Sequence, residues 1–372
     1  MRVATPPSHT KGHPVNRRQC IALAGAAALG RVVPVSAAGP AARYEAALAA
    51  CTGFNGTVAV GQGARIRFST AVGFADPQAA TPMAVDTRFE AGSVSKWIAA
   101  MVVLKLVDDG KLALDEPIAR YLPDYRADTG GRITLRHLMS HSSGVPNDIV
   151  AARKADPQVG LVPLEQMEAV RRFASGDLRF APGSAWDYSH SNWLIVKAIV
   201  ERASGKRYRD CVAAWLLEPL QLRDSGIFSG ESSDVPGMAV AYAGLAPPFQ
   251  RKVTAVPDYL AMAGGFYSSA PDMVRLMDGV LGGGILGPAS RAALVRVIMP
   301  DQHYALGGRT RIETIAGKAR EAAWEDGANG GFRLVARRVL ADGASVVVFN
   351  NGSHDHRTLG LLASALMEAA YG

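Results

Sequence analysis

Residues Arg88–Ala100 read Arg-Phe-Glu-Ala-Gly-Ser-Val-Ser-Lys-Trp-Ile-Ala-Ala. Two serines and a lysine stand where a glycine gives way to a long apolar run. In one reading a serine caps a helix and the lysine is a solvated charge. In the other, Ser93 is a nucleophile and Lys96 its base. Residues three apart share a helix face, so Lys96 lies beside Ser93 if the helix begins there, while Ser95 points elsewhere. A serine needs a base to attack at neutral pH. A lysine serves as one only when desolvation or nearby positive charge lowers its pKa. Trp97 and the apolar run supply burial, and a helix N-terminus offers unpaired N–H groups to developing negative charge. The spacing alone leaves both readings open.

A second polar group follows at Pro182-Gly183-Ser184-Ala185-Trp186-Asp187-Tyr188-Ser189-His190-Ser191-Asn192-Trp193. A phenol acts as a base when positive charge favours its phenolate, and Lys96 is a candidate source of that charge. Tyr188 could equally pack by its ring and bond locally. Ser189, His190 and Asn192 could equally be helix caps.

The chain has 372 residues, 48% apolar and 20% charged. That length supports one large domain or two lobes. The net charge of +7 does not mark a nucleic-acid binder. Five of the basic residues (Arg2, Lys11, Arg17, Arg18, Arg31) lie in residues 1–37, which hold no acid; subtracting them from +7 leaves +2. The remaining basic pairs, such as Arg171-Arg172 and Arg337-Arg338, read as solvated surface. Residues 1–37 read as a cleaved export signal. Arg17-Arg18 precede the apolar run Cys20–Leu29, and Val35-Ser36-Ala37 fits a small-x-small cleavage site. The paired arginines resemble a twin-arginine signal. The expectation is a periplasmic or secreted protein without a stable membrane span in its mature form. Cys51 and Cys211 would remain, and an oxidising compartment permits their pairing without establishing it.

Strands are expected at 56–60 and 65–70 with a turn at Gly61-Gln62-Gly63, and helices at 41–50, 93–109, 133–139, 164–173, 193–203, 207–217, 270–279 and 359–370. A β-hairpin is expected from 332–340 and 344–349 through Asp342-Gly343. Strands at both chain ends and a helical middle indicate an α+β fold: an antiparallel sheet flanked by helices, with a mainly helical lobe inserted. The boundaries are 38–125 and 265–372 for the α/β lobe and 126–264 for the helical lobe, with the active site in the cleft between them. His137 and His141 stand four apart, but no acidic partner follows at metal-ligand spacing. No metal or cofactor is implied. Asp355 reads as a cap of the last helix.

The chain resembles the serine β-lactamase and D-alanyl-D-alanine-peptidase superfamily, in the branch of class C β-lactamases, D-alanyl-D-alanine carboxypeptidases and related carboxylesterases. Thr87–Lys96, Ile133–Gly144 and Ala263–Met273 carry the resemblance, in order, within a span from Phe54 to Asn350. It implies that Ser93 is the acyl-accepting nucleophile, with Lys96 and Tyr188 completing the catalytic group. His190 stands where the Tyr-x-Asn motif usually has Asn. Trp324-Glu325-Asp326-Gly327 fills the place of the Lys-Thr-Gly motif, with Glu325 in the basic position. His190, Asn192, Trp324, Glu325 and Gly327 are therefore the expected substrate-binding residues. A strand-edge N–H and the Ser93 N–H are the expected oxyanion donors. A glutamate there disfavours substrates carrying a carboxylate, and Arg333 is a candidate for restoring positive charge. The expected activity is an exported serine hydrolase acting on carboxylic esters. The alternatives are a carboxypeptidase or β-lactamase acting on cell-wall-like amides, and a weakened or non-catalytic relative. The expected partner is a small ester or amide, no nucleic acid is expected, and the working expectation for assembly is a monomer.

Overall fold

The computed structural model describes residues 39–372; the expected export signal and Cys20 lie outside the described residues. Six strands form one antiparallel sheet: β1 (Gly56–Gln62), β2 (Arg65–Val72), β3 (Arg309–Ile315), β4 (Lys318–Asn329), β5 (Phe332–Val339) and β6 (Ala344–Asn350), in the order β2-β1-β6-β5-β4-β3. The ends of the chain meet at its centre, where β1 pairs with β6 along its whole length.

β6 is buried at every position, as a strand covered on both faces must be. Val346 and Val348 face Tyr44 of helix α1 (Pro40–Ala49) and Leu359, Leu362 and Leu366 of helix α5 (His356–Tyr371). Val347 and Phe349 face the larger core, which includes helices α2 (Val94–Asp108), α3 (Ser191–Ser204) and α4 (Ala270–Leu281). Helix α2 is apolar nearly all round and buried from Val94 to Leu104, the pattern of a helix enclosed by others.

Two local expectations change. Gly61 and Gln62 continue β1 by pairing with Ser345 and Ala344, so the bend moves to Gly63, at φ 58°. The hairpin β3–β4 was not anticipated. Its turn at Ala316-Gly317 has positive φ at both residues, which suits a tight hairpin turn. β3 is polar at five of its seven positions and lies on an edge of the sheet, so it lacks the apolar run that marks inner strands.

A small sheet of Phe89–Glu90, Phe266–Ser268 and Gly226–Ile227 delivers the chain into α2. Pairing of β3 with β4 ends at Arg309–Trp324, whereas β5 follows β4 to Asn329. The last five residues of β4 therefore have no strand on the β3 side. The turn before α2 lies against this segment. A Cβ on Gly327 would stand 2.0 Å from Ala91 O, and one on Gly92 2.6 Å from Ala328 N. Backbone meets backbone there, so both positions require glycine.

Candidate active site

Ser93 is the N-cap of α2 and makes no capping bond with its side chain. Its hydroxyl instead faces two other groups. Tyr188 OH donates to Ser93 Oγ at 2.8 Å, and Lys96 Nζ lies 3.3 Å from the same oxygen. Lys96 also donates to Ala263 O at 2.7 Å and stands 5.0 Å from the centre of the Tyr188 ring. Ser95 is turned away and accepts the Phe266 N–H at 3.0 Å. The structure thus resolves the competition at the opening stretch: Ser93 is not a side-chain cap, and Lys96 is fully buried.

That burial carries the electrostatics. Desolvation pushes Lys96 down to about 7; Glu325 opposes the shift and Arg309 adds to it. Tyr188 moves the other way, raised well above the usual phenol range by desolvation and then by Glu325. The ground state is therefore a neutral phenol beside a lysine poised to lose its proton. Of the two readings of Tyr188, a phenolate favoured by a charged Lys96 and a packed, locally bonded phenol, the neutral form is the one these surroundings favour.

Tyr188 is held by residues that sequence reasoning left aside. His141 adopts φ 59°, accepts the Ser189 N–H on Nδ1 at 3.1 Å, and sets its ring 4.3 Å from that of Tyr188. Asn147 donates to Tyr188 O at 3.2 Å and accepts the His190 N–H at 2.9 Å. His137 accepts the Thr134 N–H within a capping box, so the two histidines of the 137/141 pair do separate structural work. The positive φ at His141 has no local sequence signature, because a non-glycine residue is held there only by its surroundings.

The substrate-binding expectations divide. His190 is beside the site, 5.4 Å from the Tyr188 ring, and burial together with the Lys96 charge holds it well below the usual histidine range, hence neutral. Asn192 is fully buried and committed elsewhere, donating to Leu138 O at 3.0 Å and accepting from Ser143 Oγ at 2.8 Å. It braces the fold and does not present its amide to a substrate. Trp324 is also misplaced by the expectation. Alternation along β4 turns it to the face opposite Glu325, where Arg311 covers its ring at 4.4 Å. Gly327 acts through its lack of a side chain.

Glu325 does face the Lys96 side, but as a buried carboxyl group paired with Arg309; desolvation pushes it up to about 7 and the Arg309 guanidinium opposes the shift. Arg309 Nη1 donates to both of its oxygens at 2.7 Å. The repulsive charge expected at the cleft is thus compensated. The compensating residue is Arg309, whereas Arg333 folds back onto Gly330 O and Phe332 O. Arg309 was invisible in sequence because the strand carrying it was. Ser93 N–H has no backbone acceptor among the described residues, and the unpaired segment of β4 places Ala328 N next to Gly92. The two N–H groups are the candidate oxyanion donors. Asp355 caps α5 by accepting the Thr358 N–H at 2.8 Å. Cys51 and Cys211 are unpaired.

A nucleophile, a depressed lysine, a phenol and a strand edge come together here as a candidate acyl-transfer site. The chain belongs to the family described as Beta-lactamase, which matches residues 41–370. It is 38% identical to Esterase EstB of Burkholderia gladioli over 177 residues, 45% of each chain. It is 28% identical to the putative penicillin-binding protein PbpX of Bacillus subtilis over 237 residues, 62% of this chain and 56% of that one. The chain thus spans about half the length of these curated relatives. The fold is shared with the D-amino acid amidase of Ochrobactrum anthropi SV3, at a TM-score of 0.74 and 21% identity, covering 89% of this chain and 98% of that one. Among the described residues no helix is long and apolar enough to cross a membrane.

Proposed function

We propose that the protein is a serine hydrolase that forms an acyl-enzyme on Ser93 and acts on carboxylic esters. The observation that carries this is the 2.8 Å bond from Tyr188 OH to Ser93 Oγ with Lys96 Nζ at 3.3 Å. With Tyr188 donating to Oγ, the proton of Ser93 is directed at neutral Lys96. Ser93 Oγ then bonds to the carbonyl carbon while its proton passes to Nζ, and the carbonyl oxygen takes up negative charge facing the Ser93 and Ala328 N–H groups. Breaking the ester C–O bond expels an alkoxide, which takes the Tyr188 proton; Lys96 returns a proton to Tyr188. Water enters by the reverse sequence and frees the acid.

Esters are favoured because the position of the family's basic motif residue holds a carboxylate neutralised by Arg309, so no free cation of that motif awaits a substrate carboxylate. The 38% identity to an esterase supports the same choice. A second reading, a β-lactam or D-alanyl amide substrate, draws on Arg309, which binds Glu325 through Nη1 alone. Intact-mass measurement after exposure to activated neutral esters, penicillins and a serine-reactive phosphonate tests both. We expect one adduct, lost in Ser93→Ala and kept in Ser95→Ala, with turnover of the neutral ester. Stable penicillin adducts without ester turnover would favour the second reading, and labelling of Ser95 would overturn the mechanism. Export is part of the same proposal and is supported by the order of basic and apolar residues across 17–29.

A further inference from the structure

Half-buried Arg309 and buried Glu325 make no hydrogen bond to Ser93 or Tyr188, yet Glu325 shares the face of β4 on which Gly327 meets Ala91 and Val94, the backbone that delivers Ser93. Glu325 is 2% exposed, and its two oxygens share one guanidinium nitrogen. The Arg309 guanidinium lies 4.9 Å from the centre of the Tyr304 ring. That ring is 5.1 Å from the His141 ring, which in turn lies 4.3 Å from the Tyr188 ring at a tilt of 34°. A carboxylate alone beside Lys96 would hold that lysine protonated, and a guanidinium alone would draw anions into the cleft. Together they cancel at a short distance, and their joint field decays faster than that of either charge.

Building on the Ser93 hydrolase reading, we propose that Arg309 and Glu325 are a pair of positioning residues whose mutual neutralisation keeps Lys96 available as a base and matches the site to uncharged acyl groups. The other titratable groups facing Lys96 do not substitute for the pair. His141 and His190 are both held neutral, chiefly by burial. Tyr188 and Tyr304 are raised. Asp326, the neighbour of Glu325, sits on the opposite face of β4 by strand alternation. Glu325 raises Lys96 and Arg309 lowers it, so each member offsets the other at the base.

The test is a titration of Lys96 in the full chain by NMR of carbon-13 lysine, with its resonance assigned by loss in Lys96→Met. In Glu325→Gln the uncovered guanidinium lowers the Lys96 midpoint by about half to one pH unit. The double variant Arg309→Gln/Glu325→Gln brings it back to within about 0.3 unit of wild type. The acid limb of kcat/KM moves in parallel. Glu325→Gln also gains about three- to tenfold on a carboxylate-bearing ester relative to its neutral analogue, and the double variant loses that gain. Arg309→Lys, which keeps the cation, leaves the midpoint unchanged and serves where the glutamine variants fail to fold. A midpoint equal in wild type and Glu325→Gln, a fall that persists in the double variant, or a shift in Arg309→Lys each overturns the proposal. Absence of a phosphonate adduct on Ser93 in wild type would instead overturn the hydrolase reading, while the Lys96 titration still decides the role of the pair.

Discussion

Among the described residues two lysines are buried, and they sit in opposite surroundings. Lys197 on α3 is 2% exposed and is ringed by acceptors: Glu201 at 2.9 Å, Asp258 at 2.8 Å and Gln166 Oε1 at 3.0 Å. Lys96 on α2 is fully buried and touches one backbone carbonyl and one hydroxyl. The carboxylate on its side, Glu325, is engaged by Arg309. Burial is common to both, so burial alone does not make a base. A buried ammonium with carboxylates in contact keeps its proton and braces the fold, whereas one offered only neutral acceptors is driven toward the amine.

The largest expected effect breaks the comparison at its reactive end. Lys96→Met should lower kcat/KM for an activated ester by about 10³-fold or more, the range for losing a positioned proton acceptor, with the melting temperature kept or raised because a buried ammonium is replaced by an apolar chain. Comparable activity in this variant would return Lys96 to a structural role. Gly327→Ala comes next. Its new methyl would stand 2.0 Å from Ala91 O, pushing β4 off the turn that sets Ser93. A loss of about 10²-fold in kcat is expected, since displacements of an ångström at a catalytic group cost that much. Crystallography or hydrogen exchange at residues 89–95 would show the displaced turn.

The pH profile sharpens the comparison without a mutation. Burial depresses Lys96 to about 7, and the active form is the amine, so activity is present above that value and is lost as pH falls through it. Below about pH 7, kcat/KM should drop close to tenfold per unit. A limb near 10, the ordinary lysine range, would remove Lys96 from the role of base. The smallest kinetic effect belongs to Lys197→Met. Its kcat/KM should stay within about threefold of wild type, while denaturant unfolding loses about 1–3 kcal/mol, less than a fully buried pair costs because Asp258 is 61% exposed.

The distribution of legible and illegible features follows from range. The relation of Ser93 to Lys96 is a matter of helix geometry over three residues, and the central helix announces itself by being apolar on every side. Tyr188 was a candidate from its polar turn and was given its role by the family motif, while its protonation stayed open because charge depends on what encloses it. Asn192 carried the right residue type two positions beyond His190, yet three buried partners claim its amide. Trp324 was a neighbour in sequence and on the far face in space, which the period of two along a strand produces at every step.

The sequence by itself determined the pairing of Ser93 with Lys96 on one face of an apolar helix, because that rests on spacing within a turn of backbone, and the order of its elements and motifs gave the class of fold and singled out Ser93 as the nucleophile. Only the tertiary structure decided the protonation of that lysine, the neutral state of the tyrosine and the pairing of Glu325 with Arg309. Those depend on desolvation and on charges brought from strands sixteen to more than two hundred residues away in the chain. Electrostatic energy in a dry interior is set by distance in space, and the sequence order of Lys96, Arg309 and Glu325 does not encode that distance.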